Sequence, residues 1–193
     1  MREDVVHKRE EFLKKISGID FRSLVFLDES GCNTAMTPSH AWALVGERVP
    51  GTRPMNWGGN VTMMGAIRAE GLVALKPMDG SMKTDDFVGF IANYIVPKLK
   101  KGDVVVLDNL RQHHNRAVRE LVVNAGADVL YLPPYSPELN PIEQFWSKFK
   151  SLLRRIEERT RDGLFAAIKR LRRRVFVMLG FFKSCGYECA QCD

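Results

Sequence analysis

Two apolar runs in this chain each end on an aspartate, LVFLD at 24–28 and VVVLD at 104–108. A third acid, Glu143, follows the four prolines of YLPPYSPELNPIEQFW (131–146), where the chain stiffens and then turns helical. Carboxylates gathered near an apolar sheet edge repel one another, and some must protonate unless a cation intervenes. Donor sets made only of oxygen favour Mg²⁺ or Mn²⁺ over zinc or copper. Two such ions about 3.5–4 Å apart can activate an attacking oxygen and stabilise the leaving oxygen of an in-line displacement at phosphorus. Asp28, Asp108 and Glu143 are therefore the candidate catalytic residues and metal ligands, with two ions between them.

Each acid also has an ordinary structural explanation. Asp28 can close a strand in the turn DESG, and Asp108-Asn109 can be a plain strand-to-turn pair. Asn140, Pro141 and Glu143 occupy N-cap, N1 and N3 of a helix in a near capping-box pattern. These explanations leave unexplained why three acids should fall at equivalent ends of one sheet edge.

The elements that would place them there follow from periodicity. Residues 4–17 read as a charged, solvated helix. SLVFLDES (23–30), HAWALVGERVP (40–50) and the two halves of GGNVTMMGAIRAEGLVALKPM (58–78), turned at Glu70-Gly71, read as strands. No crossover helix fits between them, so they predict an antiparallel meander. The period then becomes helical: Thr84 is the expected N-cap of a helix carrying Phe87, Phe90, Ile91, Tyr94, Ile95 and Leu99 on its apolar stripe. VVVLDN (104–109), a helix at about 115–125 and VLYLP (129–133) complete crossover units with parallel strands. Apolarity on both faces makes LVFLD and VVVLD central strands. If parallel and adjacent, they bring Asp28 and Asp108 to one carboxyl edge, where open α/β sheets bind ligands. Beyond Glu143, the residues Ile142, Phe145, Trp146, Phe149, Leu152, Leu153 and Ile156 form an apolar helical stripe.

Composition narrows the partners. The 193 residues carry a formal charge of +6 and a pI near 9.3. Eleven Lys or Arg against three acids lie between Lys148 and Arg174, a block that suits a polyanion such as nucleic acid or else a solvated helix face. A charged N-terminus and the lack of a long apolar run exclude a secretory signal and a membrane span, making the cytoplasm the expected location. Cys185, Cys189 and Cys192 form C-x3-C-x2-C without an evident fourth ligand, so free thiols are expected rather than zinc.

LDESG (27–31), VVLDNLRQHH (105–114) and YLPPYSPELNPIEQFWSKFK (131–150) closely resemble the catalytic domain of DDE transposases of the mariner superfamily, in particular its bacterial insertion-sequence branch. The 34 residues between Asp108 and Glu143 are similar to the spacing of that branch, and the resemblance extends to FFKSCGYECAQ near the C-terminus. It implies an α/β, ribonuclease H-like fold: a mixed five-stranded sheet, antiparallel meander first and parallel strands after, flanked by helices. It implies Asp28, Asp108 and Glu143 as the metal-binding triad, with Mg²⁺ or Mn²⁺ as cofactor. The implied reaction is hydrolysis at transposon ends followed by attack of the freed 3′-hydroxyl on target DNA. Double-stranded DNA is then the partner, met by a homodimer in a bacterial, nucleoid-associated setting.

Asn109 and His113 fall in the motif around the second aspartate, where they are expected to fix a metal ligand from behind or to position DNA. The alternative for His113 and His114 is a helix start facing water. Lys148, Lys150, Arg154 and Arg155 are candidate phosphate contacts, while Trp42 and Trp57 are expected in the core rather than stacked on bases. The expected division is a linker helix at 1–20, the catalytic domain at 21–180 and a tail at 181–193. Members of the family carry N-terminal helix-turn-helix modules, and the roughly twenty residues before the first strand leave no space for one. The chain is then expected to be a separate catalytic reading frame, a fragment of a longer protein, or a decayed copy, with any such module a separate part. Two other readings stay open: a non-catalytic DNA-binding remnant, and another ribonuclease H-like nuclease acting on RNA–DNA hybrids.

Overall fold

The computed structural model describes residues 3–56, 58–110, 113–174 and 176–187. Five strands, β1 (Leu24–Cys32), β2 (Val61–Arg68), β3 (Gly71–Asp79), β4 (Val104–Leu107) and β5 (Asp128–Tyr131), form one sheet in the order β3-β2-β1-β4-β5. β1, β2 and β3 are an antiparallel meander, and β4 and β5 join as parallel strands. This is the mixed five-stranded sheet that the resemblance implies, and its antiparallel-then-parallel order agrees with the order of the apolar runs.

The β1–β4 register positions the site. Leu24 pairs with Val104, Val25 with Val105 and Phe26 with Val106, so Asp28 lies level with Asp108 by continuation. Asp28 does not close its strand as expected, because β1 continues to Cys32. β4 ends at Leu107, but β2 still supplies hydrogen-bonding partners, pairing Asp28 with Gly65 and Cys32 with Val61. Asp28 thus stands where β1 loses one neighbour and keeps the other.

Strand alternation sends consecutive residues to opposite faces. Leu24 and Phe26 join a core with α4 (Pro141–Ile156), α5 (Arg161–Leu171) and α6 (Leu179–Ser184). Within it Phe145, Trp146 and Phe149 pack ring against ring; burying one such side chain is worth about 1.5–3 kcal/mol. Phe182 and Tyr187 close on Phe26. Val25 and Leu27 face the other way, onto α2 (Thr84–Phe90) and α3 (Arg116–Asn124). The N-terminal α1 (Glu3–Ile16) is charged outside but buries Val5, Phe12 and Ile16. No helix among the described residues is long and apolar enough to cross a membrane.

Four local expectations fail. Residues 40–50 form no strand, and Trp42 is fully exposed (101%), not core. Both long edges of β1 are already taken by β2 and β4, Gly46 adopts φ 90°, and Pro50 has no N–H to donate. Trp57 lies outside the described residues. The helix from Thr84 does not run unbroken to Leu99: α2 widens into a π turn at Ile91–Ile95 and a 3-10 turn at Val96–Lys98. Pro97 lacks the N–H that an α-helix would require there. Thr84 is also not the cap; the Asp86 carboxylate accepts from the Lys83 N–H at 3.0 Å.

Gly65 marks the tightest packing between sheet and helix. A Cβ there would sit 2.6 Å from Trp146 Cη2 and 2.8 Å from Cζ2. Gly65→Ala should lower unfolding stability by about 1–3 kcal/mol through overpacking, measured by urea denaturation. An unchanged midpoint would mean that the indole is free to shift.

Candidate active site

Asp28 is half-buried against α4, and the Trp146 indole N–H donates to its Oδ2 at 3.1 Å. Sequence periodicity assigns Trp146 only to the core stripe. Its polar edge becomes visible only once Gly65 lets the ring lie against β2 beside Asp28. Burial pushes the Asp28 carboxyl up to about 8, assisted by the charges of Glu29, Glu143 and Asp108. A carboxyl so shifted is mostly protonated at neutral pH, because its environment disfavours the charged form.

Asp108 is held at the tip of β4. Its Oδ1 accepts from the Leu110 N–H at 3.1 Å and is bonded by His113 Nδ1. Oδ2 has no hydrogen-bond partner among the described residues. His113 does not face water from a helix start: it is 0% exposed, beneath the Phe87 ring at 4.4 Å, and α3 begins only at Arg116 after its Asn115 cap. Its Nε2 faces Glu29 Oε2 at 3.3 Å. Burial pushes the imidazole down, but Asp108 and Glu29 outweigh it and carry His113 up to about 9.

Next to it, His114 Nε2 meets Asn109 Oδ1 at 2.5 Å while its ring stacks on Tyr131 of β5 at 4.1 Å. Each histidine therefore holds the residue five positions before it. With Oδ1 engaged, Asn109 leaves Nδ2 uncommitted among the described residues.

Glu143 comes from the other side. Pro137–Leu139 forms a 3-10 turn, and α4 starts at Pro141 with Asn140 in the N-cap place. The Asn140 side chain makes no cap bond and no capping box forms. The ordinary explanation of Glu143 therefore loses its support, and its exposed carboxylate lines a cavity. That cavity, about 410 Å³, is walled by Asp28, Asp108, Asn109, Asn140, Glu143 and the proline turn. Tyr135 stands in the turn with φ 56°, a left-handed backbone rare for a large side chain.

The four candidate cations of α4 divide. Lys150 and Arg154 follow Glu143 by seven and eleven residues, nearly whole numbers of helical turns, so they share its side. The charge of Lys150 is felt at Cys32, at the end of β1, where burial pushes the thiol up to about 11 against that pull. Lys148 and Arg155 line a separate groove with Gln144 and Phe181.

The donor set suits a hard dication: three carboxylates, one of them strained by burial and acidic neighbours. Their spacing is open, for among the described residues no three His, Cys, Asp or Glu are gathered closely enough to hold a metal ion. The acids line the cavity wall rather than converge on a point. Cys32 and Cys185 are free and buried; Cys189 and Cys192 lie outside the described residues.

The shifts of Asp28 and His113 set a pH dependence. A carboxyl raised from 3.8 to about 8 removes stability as pH climbs through that window. A histidine raised from 6.5 to about 9 contributes stability below 6.5 that is lost by about 9. In metal-free protein, Asp28→Asn should therefore gain on wild type steadily from about pH 4 to about pH 8, followed by thermal melts. Parallel curves for the two proteins would refute the shift.

Comparison with known proteins supplies a family. A search of curated proteins found no significant match. Among solved structures, the fold is similar to the Mos1 transposase paired-end complex with left transposon end, with TM-score 0.74 and 15% identity over 96% of this chain and 59% of that one. It is also similar to the Mos1 mariner paired end complex with Mn (TM-score 0.70, 16% identity, 96% and 60% covered) and to the catalytic domain of Mos1 mariner transposase (TM-score 0.64, 14% identity, 96% and 89% covered). The chain thus spans about three fifths of the longer Mos1 chains. The family model described as DDE superfamily endonuclease matches residues 23–164, and the chain belongs to that family.

Proposed function

We propose that this chain is the catalytic domain of a DNA transposase, which hydrolyses phosphodiester bonds at transposon ends and then directs the freed 3′-hydroxyl at a phosphorus of target DNA. The observation that carries this reading is the placing of Asp28, Asp108 and Glu143 around one cavity at the carboxyl edge of β1 and β4, in a DDE superfamily endonuclease. The Mos1 structures, solved with transposon-end DNA and with Mn or Mg, support it by analogy of fold.

Mg²⁺ or Mn²⁺ held by Asp28, Asp108 and Glu143 would supply an activated attacking oxygen and a neutralised leaving oxygen. The chain's own residues do the positioning. Asp108 offers Oδ2 to the cavity because Oδ1 is committed to Leu110 and His113. Asn109, its Oδ1 committed to His114, offers an N–H donor to a phosphate oxygen. Lys150 and Arg154, on the Glu143 side of α4, hold phosphates flanking the reacting one and position the strand without reading its bases. Two copies acting on paired DNA ends, with end recognition from an N-terminal helix-turn-helix part, complete the scheme.

A non-catalytic DNA-binding remnant is the second reading, favoured by the open spacing of the acids. A nicking assay on terminal-repeat duplex separates the two. Wild type should cleave with Mn²⁺ or Mg²⁺ and not with EDTA, while Asp108→Asn and Glu143→Gln, still folded, should yield no product. Equal product from wild type and Glu143→Gln removes the catalytic assignment, and DNA binding without any cleavage favours the remnant.

The phosphate-holding role of α4 predicts a separate result. In salt titrations of DNA affinity, Lys150→Ala/Arg154→Ala should flatten the log–log slope by about 2, near one unit for each cation removed from a phosphate. Lys148→Ala/Arg155→Ala, on the other groove, should change binding at the reacting strand less. The opposite ranking would move the DNA to the other side of α4.

A further inference from the structure

β1 serves the cavity from both of its faces. Asp28 points towards α4 and takes the Trp146 N–H. Glu29, the next residue, points the opposite way, into the layer of α2 and α3, and so cannot reach the cavity itself. What it reaches is His113. The imidazole is fully buried, roofed by Phe87, with one nitrogen bonded to Asp108 and the other 3.3 Å from Glu29 Oε2.

The facing atoms, His113 Nε2 and Glu29 Oε2, are both buried and neither completes a hydrogen bond. Buried polar atoms without partners are costly and rare. Two such atoms aimed at each other at near-bonding distance need only a small rotation to pair. Phe87 blocks one ring face and leaves the imidazole little freedom to turn elsewhere.

We infer that Glu29 is a positioning residue for Asp108. It anchors the far nitrogen of His113, so that Nδ1 holds Asp108 Oδ1 and Oδ2 is the oxygen presented to the cavity. The inference rests on the proposed role of Asp108 as a ligand and deepens it, adding a residue on the back of the sheet that no cavity-lining position would reveal. Tyr131 takes part from the other neighbouring strand, its hydroxyl donating to the His113 carbonyl at 3.1 Å. The loop after β4 is thereby pinned between β1 and β5.

The test compares Glu29→Leu, which removes the anchor, with Glu29→Gln, which keeps the shape and a weaker acceptor. In metal-free protein labelled with 15N-histidine, the His113 Nε2–H signal should show a hydrogen bond in wild type, weaken in Glu29→Gln and be lost in Glu29→Leu. Mn²⁺ affinity, read by electron paramagnetic resonance, should fall about 10- to 100-fold in Glu29→Leu, as for other partners that orient a metal ligand, and less in Glu29→Gln. Melts in EDTA check that both variants fold, a control that a purely structural ion pair would fail while leaving the Mn²⁺ affinity of folded protein intact. Unchanged ring signals in Glu29→Leu, or unchanged Mn²⁺ affinity, would overturn the inference. Wild type that binds no Mn²⁺ and cuts no DNA sinks instead the reading of the cavity, and the ring spectra then decide the Glu29–His113 contact alone.

Discussion

The seating of Trp146 against Gly65 is the contact on which the arrangement depends. α4 carries Glu143 in its first turn and Trp146 one turn later. The indole can approach β2 only because position 65 has no side chain, and once there it donates to Asp28 on the adjoining strand. One aromatic ring thus joins the helix bearing the third acid to the strand bearing the first. The distance from Asp28 to Glu143 is governed by helix-on-sheet packing, which is stiff because interiors are close-packed.

The second constraint is hydrogen bonding at the tip of β4. The chain leaves the sheet at Asp108 and must turn into α3 within a few residues. His113 and His114 point to opposite sides of that turn, one inward to Asp108 and Glu29, the other outward to Asn109 and Tyr131. Asp108 and Asn109, beyond the last ladder pair of β4, are held by side-chain bonds. The adjacent histidines divide that task between the two neighbouring strands.

Electrostatically the cavity is unbalanced. Burial and three neighbouring acids work against the charge on Asp28, yet Trp146 commits one of its oxygens to accepting a bond. Burying such a carboxyl in its charged form lowers stability. Lys150 and Arg154 put positive charge on the Glu143 side of α4.

Much was legible in the sequence. Apolar runs ending on Asp28 and Asp108 specify central strands, the missing crossover specifies the meander, and the proline turn specifies the start of α4, because each depends on local period and backbone restriction. Residues 40–50 misled because alternation describes a face that fits a sheet, and both places beside β1, which they follow in the chain, are filled by β2 and β4. The long helix after Thr84 misled because apolar spacing does not register the missing N–H of Pro97. The partnerships of Glu29 with His113, of His114 with Asn109 and Tyr131, and of Trp146 with Asp28 were invisible, since they join residues from 5 to 118 positions apart that meet only through strand order and side-chain direction. The chain by itself singled out the three acids and the elements that carry them. Tertiary structure alone decided which oxygen of Asp28 and of Asp108 is engaged and how far apart the acids sit, because register and packing, rather than spacing along the chain, set those distances.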